Sequence, residues 1–293
     1  MHASYAPTIL IFDSGLGGLT VFRAVVKARP DARYVYVADD AFFPYGQHDE
    51  AALIARLVPL MGKPIAEYRP DLVVIACNTA STLALTHLRA AYSIPFVGTV
   101  PAIKPACASS KSRLVSVLGT EATVAREYTR KLIRDFGQGC EIALIGSARL
   151  ASLAEAALRD EPVEDAAILA EIAPCFIARR ERRTDTVALA CTHYPLLLDR
   201  FEQLAPWPVA WIDPAPAIAR RVVQLLGPVD ATNAAARGAR DRIVFTSERP
   251  PSQALAKALE RFGLRTDDGA VGEPDQAALR QGTSIDTRFL SRR

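Results

Sequence analysis

The feature that most constrains this chain is a series of short, uninterrupted apolar runs. "TILIFD" (8–13), "RYVYVAD" (33–39), "DLVVIAC" (71–77), "IPFVGTV" (94–100), "RLVSVLG" (113–119), "CEIALIG" (140–146), "TVALAC" (186–191) and "VAWID" (209–213) are rich in β-branched residues. A strand with one wet face alternates apolar and polar residues. A continuous apolar strand needs cover on both faces, as strands of parallel sheets have. Between the runs the apolar period changes to that of a helix. Leu19, Phe22 and Val26 share a face, Val124, Tyr128 and Leu132 follow at steps of four, and Leu197, Phe201 and Leu204 repeat at i, i+4, i+7 with Pro195 placed for a first turn. Strands alternating with helices predict an α/β fold with one doubly wound parallel sheet, or two.

At 293 residues the chain is long enough for two domains. Half its residues are hydrophobic and 23% are charged, which excludes a disordered or fibrous class. A net charge of +3 gives no reason to expect a nucleic-acid partner. The basic cluster "ARRERR", Ala178 to Arg183, reads as the solvated end of a helix rather than an anion patch. No apolar run approaches the roughly 20 residues that span a bilayer, and the N-terminus has no signal-peptide pattern. The expected compartment is cytoplasmic, where the five cysteines stay reduced. From residue 265 to 293 the sequence turns polar and loses period, and is expected to be a loosely attached tail.

Parallel sheets bind ligands at the carboxyl ends of their strands, so the polar residues after each run are the ones to watch. "DSGLGG" (13–18) is not a dinucleotide fingerprint, because Thr20 stands where the third glycine would fall. Its glycine-rich turn into a helix still leaves N–H groups able to hold a carboxylate, and Asp13 can serve there as a cap. "DDAFFPYG" (39–46) is an aromatic turn that can bring Tyr45 to a ligand.

Cys77 and Cys191 carry the most information. A lone free cysteine is usually a small buried hydrophobe, and Cys107, Cys140 and Cys175 fit that description. Cys77 and Cys191, 114 residues apart, both end apolar strands and lead into "CNTAS" and "CTHYP" at helix starts, where a thiolate is stabilised. A metal site built on Cys77, Cys191 and His193 lacks a third thiol or a His-x-x-x-His spacing. A Cys–His nucleophile is a further alternative. Lys104 in "VPAIKPA" sits between prolines and reads as structural, not as a Schiff-base lysine. Two related halves that each present a thiol suit inversion at a carbon acid. One thiolate removes the proton, and the other thiol delivers one to the opposite face.

With these residues assembled, the chain resembles bacterial glutamate racemases. "IFDSGLGGLTV", "YVADDAFFPYG", "VVIACNTAST", "VGTVPAIKPA", "SVLGTEATV", "LIGSARLASLAE", "ACTHYPLL" and "DPAPAIARR" match that family's blocks in order. The resemblance implies two pseudo-symmetric α/β domains, each a mostly parallel sheet flanked by helices, with the active site between them. One domain would comprise 1–98 plus 212–264, and the other 99–211. The implied catalytic residues are Cys77 and Cys191, with Asp13 beside Cys77, and His193 and Glu155 beside Cys191. The implied substrate-binding residues are Asp13, Ser14, Pro44, Tyr45, Gly46, Asn78, Thr79, Thr120, Thr123, Thr192 and His193. It implies interconversion of L- and D-glutamate for peptidoglycan synthesis, with no cofactor, no metal, and no nucleic-acid or membrane partner. Members of that family vary in assembly and regulation, so a homodimer and activation by a cell-wall precursor both stay open. Alternatives are a related racemase acting on aspartate or a hydantoin, and a catalytically silent amino-acid-binding regulator. Ala190, Thr99 and "IDPAPA" depart from the usual family residues and put local shape in doubt, while every catalytic group is present.

Overall fold

The computed structural model describes residues 5–229 and 241–266. Four strands open the chain, β1 (Thr8–Asp13), β2 (Arg33–Ala38), β3 (Leu72–Ile75) and β4 (Phe96–Gly98). They are linked by α1 (Leu19–Ala28), α2 (Glu50–Tyr68) and α3 (Asn78–Ala91). After α4 (Ile103–Ser109), a second sheet is built from β5 (Leu114–Thr120) and β6 (Glu141–Ser147), with α5 (Glu121–Ala125) and α6 (Glu127–Phe136) between them. α7 (Leu150–Leu158) and α8 (Asp165–Ile172) lead to a short ribbon, β7 (Ala178–Arg179) and β8 (Arg182–Arg183). β9 (Thr186–Ala190), α9 (Leu198–Leu204) and β10 (Ala210–Ile212) complete the second sheet. The chain then returns to the first sheet through α10 (Ala215–Leu226), which packs on α1. β11 (Arg242–Phe245), α11 (Gln253–Glu260) and β12 (Arg265–Thr266) follow.

The first sheet has the order β12-β11-β2-β1-β3-β4 and the second β10-β9-β5-β6, every pairing in both being parallel. β1 shows why its sequence is continuously apolar. Ile9 and Ile11 join the core under α1, α10 and α11, while Leu10 and Phe12 face α2 and α3. β9 divides likewise, Val187 and Leu189 facing α7, α8 and α9, and Ala188 facing α4. Each such side chain removed from water contributes about 1.5–3 kcal/mol before conformational costs, so neither face tolerates a polar residue until the strand ends.

Three readings of the sequence change. "ARRERR" is the antiparallel ribbon β7–β8, turned by Arg180 in the left-handed region (φ 54°), and not a helix end. The Val124–Leu132 pattern is not one helix, because Arg126 is extended and separates α5 from α6, leaving Tyr128 exposed. The polar stretch from 265 begins with the paired strand β12, and its remainder, 267–293, lies outside the described residues. Lys104 lies in α4 with its ammonium 5.3 Å from the centre of the Phe136 ring.

Candidate active site

The carboxyl ends of β1, β3, β5 and β9 deliver polar residues to one cavity shared by the two sheets. Its walls include Ser14, Pro44, Tyr45, Gly46, Cys77, Asn78, Thr79, Thr120, Cys191, Thr192 and His193. Asp13, Glu155 and Thr123 lie behind the walls, buried and bonded to residues that line them. Phe43, Ala151 and Ala190 also line the cavity, and the chemistry of their side chains gives no advance sign of it. The free volume of about 20 Å³ is little more than one water needs.

Cys77 follows β3 and caps α3, its sulfur accepting from Ala80 N–H at 3.5 Å and lying 3.5 Å from Ser14 Oγ. Burial, then the charge of Asp13, pushes its thiol up to about 12, against the Ser14 and Ala80 hydrogen bonds. Asp13 is fixed in turn. Its Oδ2 accepts from Gly15 and Gly18 N–H, and its Oδ1 accepts from Thr192 Oγ1 of the second sheet.

Cys191 follows β9, and its sulfur lies 3.7 Å from His193 Nδ1. His193 Nε2 meets Glu155 Oε1 at 3.0 Å, and Glu155 Oε2 accepts from Arg159 at 2.6 Å. Burial would lower His193, yet its contacts with Cys191 and Glu155 outweigh that and hold the imidazole well above its ordinary value. Burial would raise Glu155, and the His193 hydrogen bond and charge, Arg159 and Leu16 N–H together hold it below its usual range. The two groups thus form a buried imidazolium–carboxylate pair aimed at one thiol.

The N–H group that "DSGLGG" keeps free for a carboxylate is Leu16 N–H, and the carboxylate is the chain's own Glu155, 2.8 Å away. Uncharged hydroxyl and amide groups also line or back the cavity. Thr79 Oγ1 lies 3.3 Å from the hydroxyls of both Thr120 and Thr123. Both amide atoms of Asn78 are buried with no protein partner, which suits a group that waits for a ligand. Tyr45 is buried, its hydroxyl bonded to Asp39 at 2.5 Å. Among the described residues no group of three or more His, Cys, Asp or Glu is placed to hold a metal ion, and no helix is long and apolar enough to cross a membrane.

The model of the Asp/Glu/hydantoin racemase family matches residues 17–222. This chain belongs to that family. Among racemases similar to it, the glutamate racemase of Brucella canis is 54% identical over 88% of this chain and 92% of its own length. The Escherichia coli glutamate racemase, solved with L-glutamate and the activator UDP-MurNAc-Ala, is 38% identical with a TM-score of 0.80, over 89% of this chain and 97% of that one. The racemase of Aquifex pyrophilus is 26% identical with a TM-score of 0.66, over 88% of this chain and 98% of that one. The two solved racemases share the mixed α/β arrangement described above.

Proposed function

We propose that this chain is a glutamate racemase that inverts the α-carbon of glutamate with Cys77 and Cys191 as its two acid–base groups, supplying D-glutamate for peptidoglycan synthesis. The observation that supports this most is that the two thiols, each from a strand end of a different sheet, line one small cavity together with Ser14, Asn78, Thr79, Thr120 and His193.

In the reaction one thiolate takes the α-proton, and the thiol across the cavity gives a proton to the opposite face. Cys77, with its raised pKa, is a reluctant donor as a thiol and a strong base once ionised. On the other wall, the His193 imidazolium places a positive charge 3.7 Å from the Cys191 sulfur. An α-proton is far beyond the reach of a thiolate in water. The cavity answers this with fixed donors, Asn78 and the threonine hydroxyls, and with a shortage of water. These donors also suit the two carboxylates of glutamate. The resemblance to the E. coli enzyme extends the reading to regulation, with UDP-MurNAc-Ala activating this chain as well.

Turnover of L-glutamate in heavy water should yield D-glutamate carrying α-deuterium, without added pyridoxal or metal. Cys77→Ala and Cys191→Ala should each lower the racemisation rate by about 10²–10⁴-fold. Full activity in either variant would remove that cysteine from the scheme. A panel with aspartate and hydantoins tests the substrate, and adding UDP-MurNAc-Ala tests activation.

A further inference from the structure

Glu155 is held at three points, and one of them reaches past the residues described as chemical. Its Oε1 takes Leu16 N–H and His193 Nε2, while its Oε2 is occupied by the Arg159 guanidinium. Arg159 stands one helical turn on, at the C-terminal end of α7, where a cation is also favoured by the helix dipole. Its side chain is 31% exposed and that of Glu155 only 3%. A line of contacts, Arg159 to Glu155 to His193 to Cys191, thus runs from solvent to one sulfur. The Cys77 wall has a different construction. There the sulfur meets a hydroxyl and a backbone amide, and the carboxylate behind it is held by backbone amides and Thr192.

We propose that Arg159 is a positioning residue for proton transfer at Cys191 and not at Cys77. The inference rests on the two-thiol reading above. By filling Oε2, the guanidinium leaves Oε1 as the single oxygen facing His193, so the imidazole is held with Nδ1 toward the sulfur. Without it the carboxylate is free to rotate, and the ring loses the partner that fixes its tilt. The backbone N–H of Leu16 alone does not fix both oxygens. The effect is confined to one wall because no contact of Arg159 reaches the Cys77 side.

The test uses the full-length enzyme with Arg159→Ala, Arg159→Gln and Arg159→Lys, and α-deuterated L- and D-glutamate. Because the equilibrium constant of a racemisation is one, kcat/KM must fall equally for both enantiomers, by about tenfold in the Ala and Gln variants. The isotope effect on kcat/KM carries the decision. It should rise for the enantiomer whose proton Cys191 removes, since that step becomes more rate-limiting, and fall toward unity for the other. The Lys variant should recover to within about threefold with isotope effects near the parent's. If the Ala variant fails to fold, the Gln variant is read in the same way. Unchanged rates, or isotope effects that stay put or move together for both enantiomers, would overturn the role. Such a result beside inactive Cys77→Ala and Cys191→Ala enzymes removes Arg159 alone, whereas active cysteine variants remove the parent reading.

Discussion

A Cβ added to Gly17 would stand 2.4 Å from His193 Nδ1 and 2.6 Å from the His193 backbone nitrogen, and one on Gly15 would stand 2.1 Å from Glu155 Oε1. Neither glycine has a positive φ. Both are needed so that the His193–Glu155 pair from the second sheet can lie against the first-sheet turn. Because a backbone atom blocks the way, Gly17→Ala should shift the His193 segment itself, costing about 1–3 kcal/mol. We expect kcat/KM to fall more than tenfold with a drop of several degrees in Tm; unchanged kinetics would show that the close approach is dispensable. The pair also sets a pH window for stability. His193 in the folded chain lies above its unfolded value of about 6.5, so its contribution is full below that pH and is lost as pH rises through the folded value. Glu155 lies below its unfolded value of about 4.3, so its contribution is present above that pH and is lost as pH falls through the folded value. The pair therefore stabilises most between about pH 4.3 and 6.5. The Tm gap between the parent and His193→Asn should be widest there and narrow toward alkaline pH, and a gap constant with pH would contradict the charged-pair assignment.

Helix caps separate structural work from site work. Thr120 caps α5 by accepting from Thr123 N–H at 3.1 Å and also lines the cavity, whereas Ser252 caps α11 at 3.2 Å on the far side of the first sheet. Loss of either cap should cost about 1 kcal/mol, a fall in Tm of about 2–4 °C. Thr120→Ala should raise KM for glutamate as well, and Ser252→Ala should leave it alone; an equal effect of both on KM would place Thr120 outside the binding surface. Elements with a full set of local signals were legible in the sequence. β1, β3 and β9 are apolar on both faces and end abruptly in polar residues, so both the strands and the thiols at their ends could be read. The break at Arg126 could not be, because neither Gly nor Pro marks it and the apolar steps of four continue across it. β7 and β8 are two residues each, too short for any period, and their turn rests on an arginine in a conformation that favours glycine. β11, with four residues, is held by pairing to β2, and β12, with two, by pairing to β11 at the sheet edge, more than by their own sequence. In the site the acids, thiols and hydroxyls announced themselves by chemistry. Phe43, Ala151 and Ala190 shape the cavity only through where the backbone puts them, and Arg159 acts through Glu155.

At the scale of the whole molecule, the two sheets are joined by polar bonds at the site as well as by apolar contacts, Phe43 packing on the second sheet's core and Leu158 on the first's. Leu16 N–H reaches Glu155, Thr20 Oγ1 reaches the Thr192 carbonyl, Thr192 reaches Asp13, and Arg126 pairs with Glu50. These bonds cross from one sheet to the other beside the cavity, so glutamate passing in and out between the sheets should require them to open at each turnover. Leu16 N–H reports that parting directly. Its acceptor is on the opposite half, so its hydrogen exchanges when the contact opens, while the amides of β1 are locked inside the first sheet. On the proposed reading, glutamate held between the halves leaves or loses its contacts before they open. At a ligand concentration of 100 Kd this linkage amounts to about 2.7 kcal/mol, a roughly hundredfold suppression of opening. Exchange at Leu16 should slow by up to that factor when the enzyme is saturated with glutamate, with residues 9–12 as the unaffected reference. Exchange at Leu16 that ignores the ligand would mean that the substrate enters without the sheets separating.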